Sequence, residues 1–229
     1  MAQQKLKQTT NYSQSWGGIN TTIRFKNNWG ISADASYRAN NLFSSEFYTI
    51  ARVGISYWLN DNVAFTAGYA HQWNAPTIKG WHTTVHENRL YQQVLLTSKI
   101  GNITFTNRLR NEERWQAKVV NDTDMHSPTF TNRMRYQCAI NIPLTSKKFL
   151  PSIILSDELC VQMGKTIVFN TFDQNRAFIG LRETFTKNLY CDIGYSLINQ
   201  EKSTGYQYDQ DHLFRLFFFY NLDLRKSEN

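Results

Sequence analysis

The dominant pattern along the chain is an alternation of apolar and polar residues with period two, which marks extended strands with one greasy face. Trp29, Ile31, Ala33, Ala35 and Tyr37 share one face, while Gly30, Ser32, Asp34, Ser36 and Arg38 share the other. Val53, Ile55, Tyr57 and Leu59 oppose Arg52, Gly54, Ser56 and Trp58. Beyond Asn60-Asp61-Asn62, Val63, Phe65, Ala67 and Tyr69 oppose Ala64, Thr66, Gly68 and Ala70. Further on the polar face becomes charged, with Thr104, Thr106, Arg108, Arg110, Glu112, Arg114 and Gln116 on one side of a single extended segment. Thr131, Arg133, Arg135 and Gln137 oppose Phe130, Met134 and Tyr136; Arg176 and Arg182 oppose Ala177, Ile179 and Leu181; Arg215 sits between Phe214 and Leu216 near the end. Arginine keeps falling on the polar side.

Short and long connectors alternate, the organisation of an up-and-down meander. The short ones lie around Lys26-Asn27-Asn28, Asn60-Asp61-Asn62, Gly101-Asn102, Thr145 to Lys148 and Lys187-Asn188, and the long ones near 39–46, 74–86, 118–128, 164–174 and 200–210. Outer-membrane barrels have this asymmetry, with trimmed turns at one end and loops at the other. Aromatic residues gather near strand ends: Trp29, Tyr57, Phe149, Phe185 and Tyr190 toward the short turns, Tyr37, Tyr69, Trp73 and Phe130 toward the long loops. Two such girdles mark the two interfaces of a bilayer. A soluble barrel or sandwich explains the alternation equally well, but the segments exceed ordinary strands and match the roughly 9 to 11 residues that cross a bilayer at a tilt. The expected fold is therefore an all-β, up-and-down antiparallel transmembrane β-barrel.

About eleven segments can be delimited, and single-chain bacterial barrels usually have an even number. The expectation is about twelve strands, with ten as the alternative; a twelfth would come from residues 3–13 turning near Trp16-Gly17-Gly18. Residues 1–12 read as a tail or weak first strand, 13–224 as the barrel and 225–229 as a polar tail.

Composition excludes other classes. With 229 residues, 41% hydrophobic and 19% charged, the chain is no disordered polymer, and four prolines and eleven glycines exclude collagen-like sequence. The densest apolar run, Leu216 to Tyr220, is far shorter than the roughly 18 residues of a spanning helix. A mean hydropathy of −0.51 does not argue against a barrel, whose strands are half polar. Cys138, Cys160 and Cys191 are odd in number and distant in sequence, so neither a complete disulfide set nor a metal site is expected, and no cofactor. Met1-Ala2-Gln3-Gln4-Lys5 lacks a charged n-region and an apolar h-region; an Ala-Gln junction behind an added Met is the expected start of a mature exported chain.

Asn107-Arg108-Leu109-Arg110, Arg133-Met134-Arg135-Tyr136, Ser156-Asp157-Glu158-Leu159 and Phe172-Asp173-Gln174-Asn175-Arg176, followed by Ile179-Gly180-Leu181 and a turn at Lys187-Asn188, resemble, in that order and spacing, an uncharacterised family of small Gram-negative outer-membrane β-barrels classified as a domain of unknown function. The resemblance covers nearly the whole chain and implies an outer-membrane location. It brings no catalytic residues.

The expected polar network of the lumen is Arg38, Arg52, Arg89, Arg108, Arg110, Glu112, Arg114, Arg133, Arg135, Glu158, Arg176, Arg182 and Arg215. Buried guanidinium groups require acceptors or water, and few inward carboxylates are visible, so the lumen is either a hydrated polar plug or an anion-attracting vestibule. The net charge of +7 does not point to nucleic acid, because the lysines collect at turns and termini rather than along one face. Basic groups there suit lipid phosphates, so the expected partners are outer-membrane lipids and lipopolysaccharide, with another outer-membrane protein as a further partner. His71, His82, His86, His126 and His212 fall near long connectors, but no Ser-His-acid constellation is visible, and His126-Ser127 is no dyad because strand neighbours point opposite ways. His82 and His86 could share a metal only if the intervening loop were helical. A structural or accessory barrel leads over a narrow anion-preferring channel and a lipid-modifying enzyme.

Overall fold

The computed structural model describes residues 6–76, 78–145 and 151–225. Among these residues thirteen strands follow one another: β1 (Gln8–Arg24), β2 (Trp29–Asn40), β3 (Ser45–Trp58), β4 (Val63–Asn74), β5 (Val85–Ile100), β6 (Ile103–Gln116), β7 (Val119–Val120), β8 (Thr123–Asp124), β9 (Thr129–Pro143), β10 (Ser152–Met163), β11 (Phe172–Thr184), β12 (Leu189–Glu201) and β13 (Gln207–Asp223). All but β7 and β8 form one closed barrel in the order β1-β13-β12-β11-β10-β9-β6-β5-β4-β3-β2, an up-and-down meander. Its strands run from 12 residues in β2 to 17 in β1. The strands β7 and β8 make a separate hairpin in the long β6–β9 connector, where Asn121 and Asp122 both take positive φ, as a two-residue type I′ turn demands.

Eleven barrel strands stand between the twelve expected and the ten of the alternative. An odd number of alternating strands leaves the first and last running the same way, so the barrel closes with a parallel pair, Gln8↔Gln207 through Arg24↔Asp223. No turn forms at Trp16-Gly17-Gly18: β1 runs straight through, pairing Gly17 with both Leu216 and Tyr37. Gly18 serves close packing instead. A Cβ there would lie 2.7 Å from the Phe217 ring and 2.7 Å from Ser36 Cβ, and Phe217 uses the space to meet Trp16 edge to face at 5.2 Å.

The two rims differ as the connectors imply. At the short-turn rim Gly101 opens the β5–β6 turn with φ +56°, a conformation glycine adopts without penalty. Asp61 in the β3–β4 turn accepts from Arg24 at 2.6 Å and Arg225 at 2.7 Å, and the Arg24 hydrogen bond leads in holding its carboxyl below the usual carboxylate range. At the other rim Asp122 Oδ1 accepts from the His82 and Thr83 backbone N–H groups at 2.9 and 2.7 Å, tying the two longest connectors together.

Burial is inverted relative to a water-soluble domain. The buried residues are mainly polar or charged, including Arg38, Glu87, Glu112, Glu158 and Asp173, whereas Trp29, Val53, Ile55, Leu109, Ile179 and Phe214 on the outer wall are exposed. The greasy face of each strand points out, and the arginine face points in.

Candidate functional site

Alternation along neighbouring strands aims one side chain in two at the barrel axis, and the register brings the inward carboxylates beside arginines. Glu158 on β10 takes Arg108 from β6 at 2.6 Å, Arg135 from β9 at 2.8 Å and Arg176 from β11 at 3.4 Å. Arg135 bridges onward to Glu112 on β6 at 2.6 Å, which Arg89 and Arg110 also approach, at 3.5 and 3.6 Å. Arg89 continues to Glu87 on its own strand at 2.8 Å, and Arg114 closes on the same carboxylate. A continuous network of alternating charge thus crosses β5, β6, β9, β10 and β11. Side-chain amides fill the gaps: Gln93 accepts from Arg110 at 2.6 Å, and Gln72 accepts from Arg89.

Four further pairs stand around it. Arg52 meets Asp34 at 2.7 Å, Arg182 meets Asp192 at 2.7 Å, and Arg133 meets Asp173 at 2.9 Å. Arg38 reaches from β2 across β1 to Asp211 on β13 at 2.5 Å while its Nε donates to Gln14 on β1 at 2.6 Å, so one guanidinium ties together the three strands of the closure seam. Asp173 owes its direction to a β-bulge: Cys160 pairs with Gln174 and Val161 with Phe172, leaving Asp173 unpaired on β11 and turned inward beside Gln174.

All thirteen residues expected inside lie in the interior, and the arginines line one cavity of about 590 Å³. Its lining reaches from Thr104 and Asn141 near the short turns to Asn74 and Gln116 near the loops, the full height of the wall. Eleven arginines line it, and their ion pairs engage seven carboxylates, Asp34, Glu87, Glu112, Glu158, Asp173, Asp192 and Asp211, an excess of four positive charges. Arg215 takes no carboxylate among the described residues; its guanidinium lies 4.4 Å from the Phe178 ring and 4.8 Å from that of Phe217.

Five of these carboxylates, Asp34, Glu87, Asp173, Asp192 and Asp211, were absent from the sequence-derived set. Same-face parity with a neighbouring arginine could have found Asp34 and Glu87, which lie on the arginine faces of β2 and β5. Nothing in the periodicity marks Asp173. Among the aromatics, Trp29, Tyr37, Tyr69, Trp73, Phe130 and Phe185 are exposed on the outer surface, and Tyr57 packs against Trp29 at 5.0 Å. Tyr190 requires correction: it lines the cavity, stacked on Phe219 at 4.7 Å beneath Arg182, because strand parity turns Leu189 outward and Tyr190 inward. Phe149 lies outside the described residues.

The histidines do not converge on the cavity. His71 Nε2 lies 3.1 Å from His86 Nδ1 on the outer wall, and His212 meets the Tyr195 hydroxyl at 2.6 Å. His82 lies in a non-helical connector and His86 on β5, so the helical juxtaposition that metal sharing would require does not arise. His126 is exposed with φ +50°.

Residues 13–209 match the family model described as "Protein of unknown function (DUF2490)". The chain belongs to that family. The match reaches from β1 into β13 and thus takes in every charged pair of the interior except those completed by Asp211. No curated protein and no solved structure matches the chain. For this DUF2490 member, function has to be argued from the barrel itself.

Proposed function

We propose that this DUF2490 chain is an integral outer-membrane β-barrel, held rigid by an internal arginine–carboxylate network, that serves as a structural or accessory subunit of an outer-membrane protein assembly and carries out no catalysis itself. The observation that carries the proposal is the inverted burial: large apolar side chains ring the outside of a closed barrel whose inside is charged. In water such a wall would expose apolar surface around most of its circumference, which soluble monomers avoid. A bilayer suits it, because closure pairs the backbone and the strands are long enough to cross. Lipids and lipopolysaccharide are then its immediate neighbours, with lysines and Arg225 at the rims placed for their phosphates.

The accessory role follows from the interior. Guanidinium groups linked across five strands brace the wall and fill much of the lumen, leaving a cavity of about 590 Å³. Fractionation tests the location: the protein should stay in the outer-membrane pellet through alkaline carbonate extraction, and release into the soluble fraction would refute it.

A second reading rests on the four uncompensated positive charges and on a lining that runs the full height of the wall. These suit a narrow anion-preferring conduit. In a planar bilayer with a salt gradient, a reproducible conductance reversing toward the chloride potential would select this reading, and electrical silence would select the brace.

A further inference from the structure

We infer that the outer wall from β5 through β6, β9 and β10 to β11 is the docking face for a different outer-membrane protein that presents basic and amide side chains. The inference rests on the membrane reading above and adds a partner to it.

The wall is not uniformly apolar. On β12, β13, β2 and β3 the mid-height outward residues are of the kind of Ile193, Tyr195, Phe214, Phe218, Ile31 and Val53, all exposed. On the adjoining sector, polar groups occupy the same face. Gln92 on β5 accepts from Asn111 on β6 at 2.9 Å, Asn107 on β6 accepts from the Tyr136 hydroxyl on β9 at 2.8 Å, and Asp157 on β10 accepts from Asn175 on β11 at 2.9 Å. Asn111, Asn107, Asp157 and Asn175 each sit next to a cavity-lining neighbour, Arg110, Arg108, Glu158 and Arg176 respectively, Tyr136 sits next to Arg135, and Gln92 follows the buried Tyr91. They therefore point away from the barrel axis.

Each pair satisfies only part of its capacity. A carboxamide offers two donors and an acceptor with two lone pairs, and a carboxylate several acceptor sites. Hydrocarbon supplies no partner for the remainder, and a charged side chain on a lipid-facing wall is costly in proportion to its depth. Asp157 lies five residues from one end of β10 and six from the other, which places an exposed carboxylate at mid-height. A hollow of about 610 Å³ adjoins the Gln92–Asn111 pair at the border of this sector, with Leu109 and Met134 on the sector side and Ile55 and Phe65 on the neighbouring β3 and β4, and it would receive an apolar side chain of the partner.

Charge selects the occupant. The outward side chains of the sector include Glu113 and Asp157 and no lysine or arginine. A second copy of this chain would bring more carboxylates, because its barrel-strand arginines are turned inward and its described lysines lie in turns, loops and strand ends. The complement is a different protein with a cation opposite Asp157.

The test uses the full chain in its own outer membranes, with a benzoylphenylalanine photo-crosslinker placed at Gln92 or Asn111, and in parallel at Ile193 or Phe214. The expected result is one protein adduct of fixed mass, heavier than the chain by something other than a second copy, from the first pair only. Asp157→Lys should cut its yield roughly tenfold, since like charges meeting at an interface cost several kcal/mol, and the nearly isosteric Asp157→Asn should cut it several-fold while leaving heat-modifiable migration on gels unchanged. A homodimer adduct, equal yields from both walls, lipid adducts alone or an adduct indifferent to both Asp157 variants would overturn the inference with the membrane reading intact. Loss of the chain from the carbonate-resistant pellet would instead bring down the reading beneath it.

Discussion

At the scale of single residues, charge converges most at Glu158 and Glu112, each of which takes three arginines, and all three at Glu158 come from other strands. Removing one partner of a buried pair leaves the other uncompensated, at about 3–5 kcal/mol. Glu158→Gln is therefore expected to lower barrel stability by about that amount, read as the denaturant midpoint in detergent, and Arg108→Met on the same background should recover part of the loss. Asp122 is a gentler case on the loop rim. The backbone N–H of Thr83 leads in holding its carboxyl below the usual carboxylate range. The connector clasp is then complete above about pH 4, the ordinary range of the group, and is lost as pH falls through its depressed value. Trp81, beside the clasp in sequence, reports this: its emission should change on acidification, and Asp122→Asn should abolish that acid transition.

At the scale of elements, the seam between β1 and β13 is the singular joint of the barrel, a parallel pair bridged from inside by Arg38 and Asp211. Asp211→Asn should raise amide exchange in β1 and β13 while leaving β5 and β6 protected, and Gly18→Val should do the same by driving a branched side chain into Phe217. The seam also shows what the sequence could and could not convey. Period-two alternation is a local property, so the arginine faces of β6, β9 and β11 and the sidedness of Trp29 or Phe130 were legible from composition along each strand. Strand parity is a global property: Trp16-Gly17-Gly18 reads as a turn until the partner of Gly18 across the seam is known. The bulge at Asp173 escaped for a related reason, since one residue of slip reverses every later side chain, whereas the inward aim of Tyr190 follows from the unbroken register of β12, which nearness to a turn does not reveal. The interior carboxylates were under-counted because most serve an arginine on another strand: Asp34 and Asp192 pair one strand away, and Asp173 and Asp211 pair two strands away.

At the scale of the whole molecule, the account turns on which side of the wall meets which medium. If the outer face meets hydrocarbon, the ion-pair network is what lets a polar interior be small and rigid, and the polar sector on β5 to β11 is a place where protein replaces lipid. The most direct test places nitroxide labels one at a time at Ile55, Leu109, Ile179 and Phe214, on a chain whose native cysteines are replaced by alanine, in outer-membrane lipid vesicles. Collision rates with oxygen, which concentrates in hydrocarbon, are compared with those of a water-soluble nickel chelate. For the isolated barrel the account predicts oxygen dominance at all four positions. Nickel dominance at all four positions would contradict it, since that is the behaviour of a barrel standing in water.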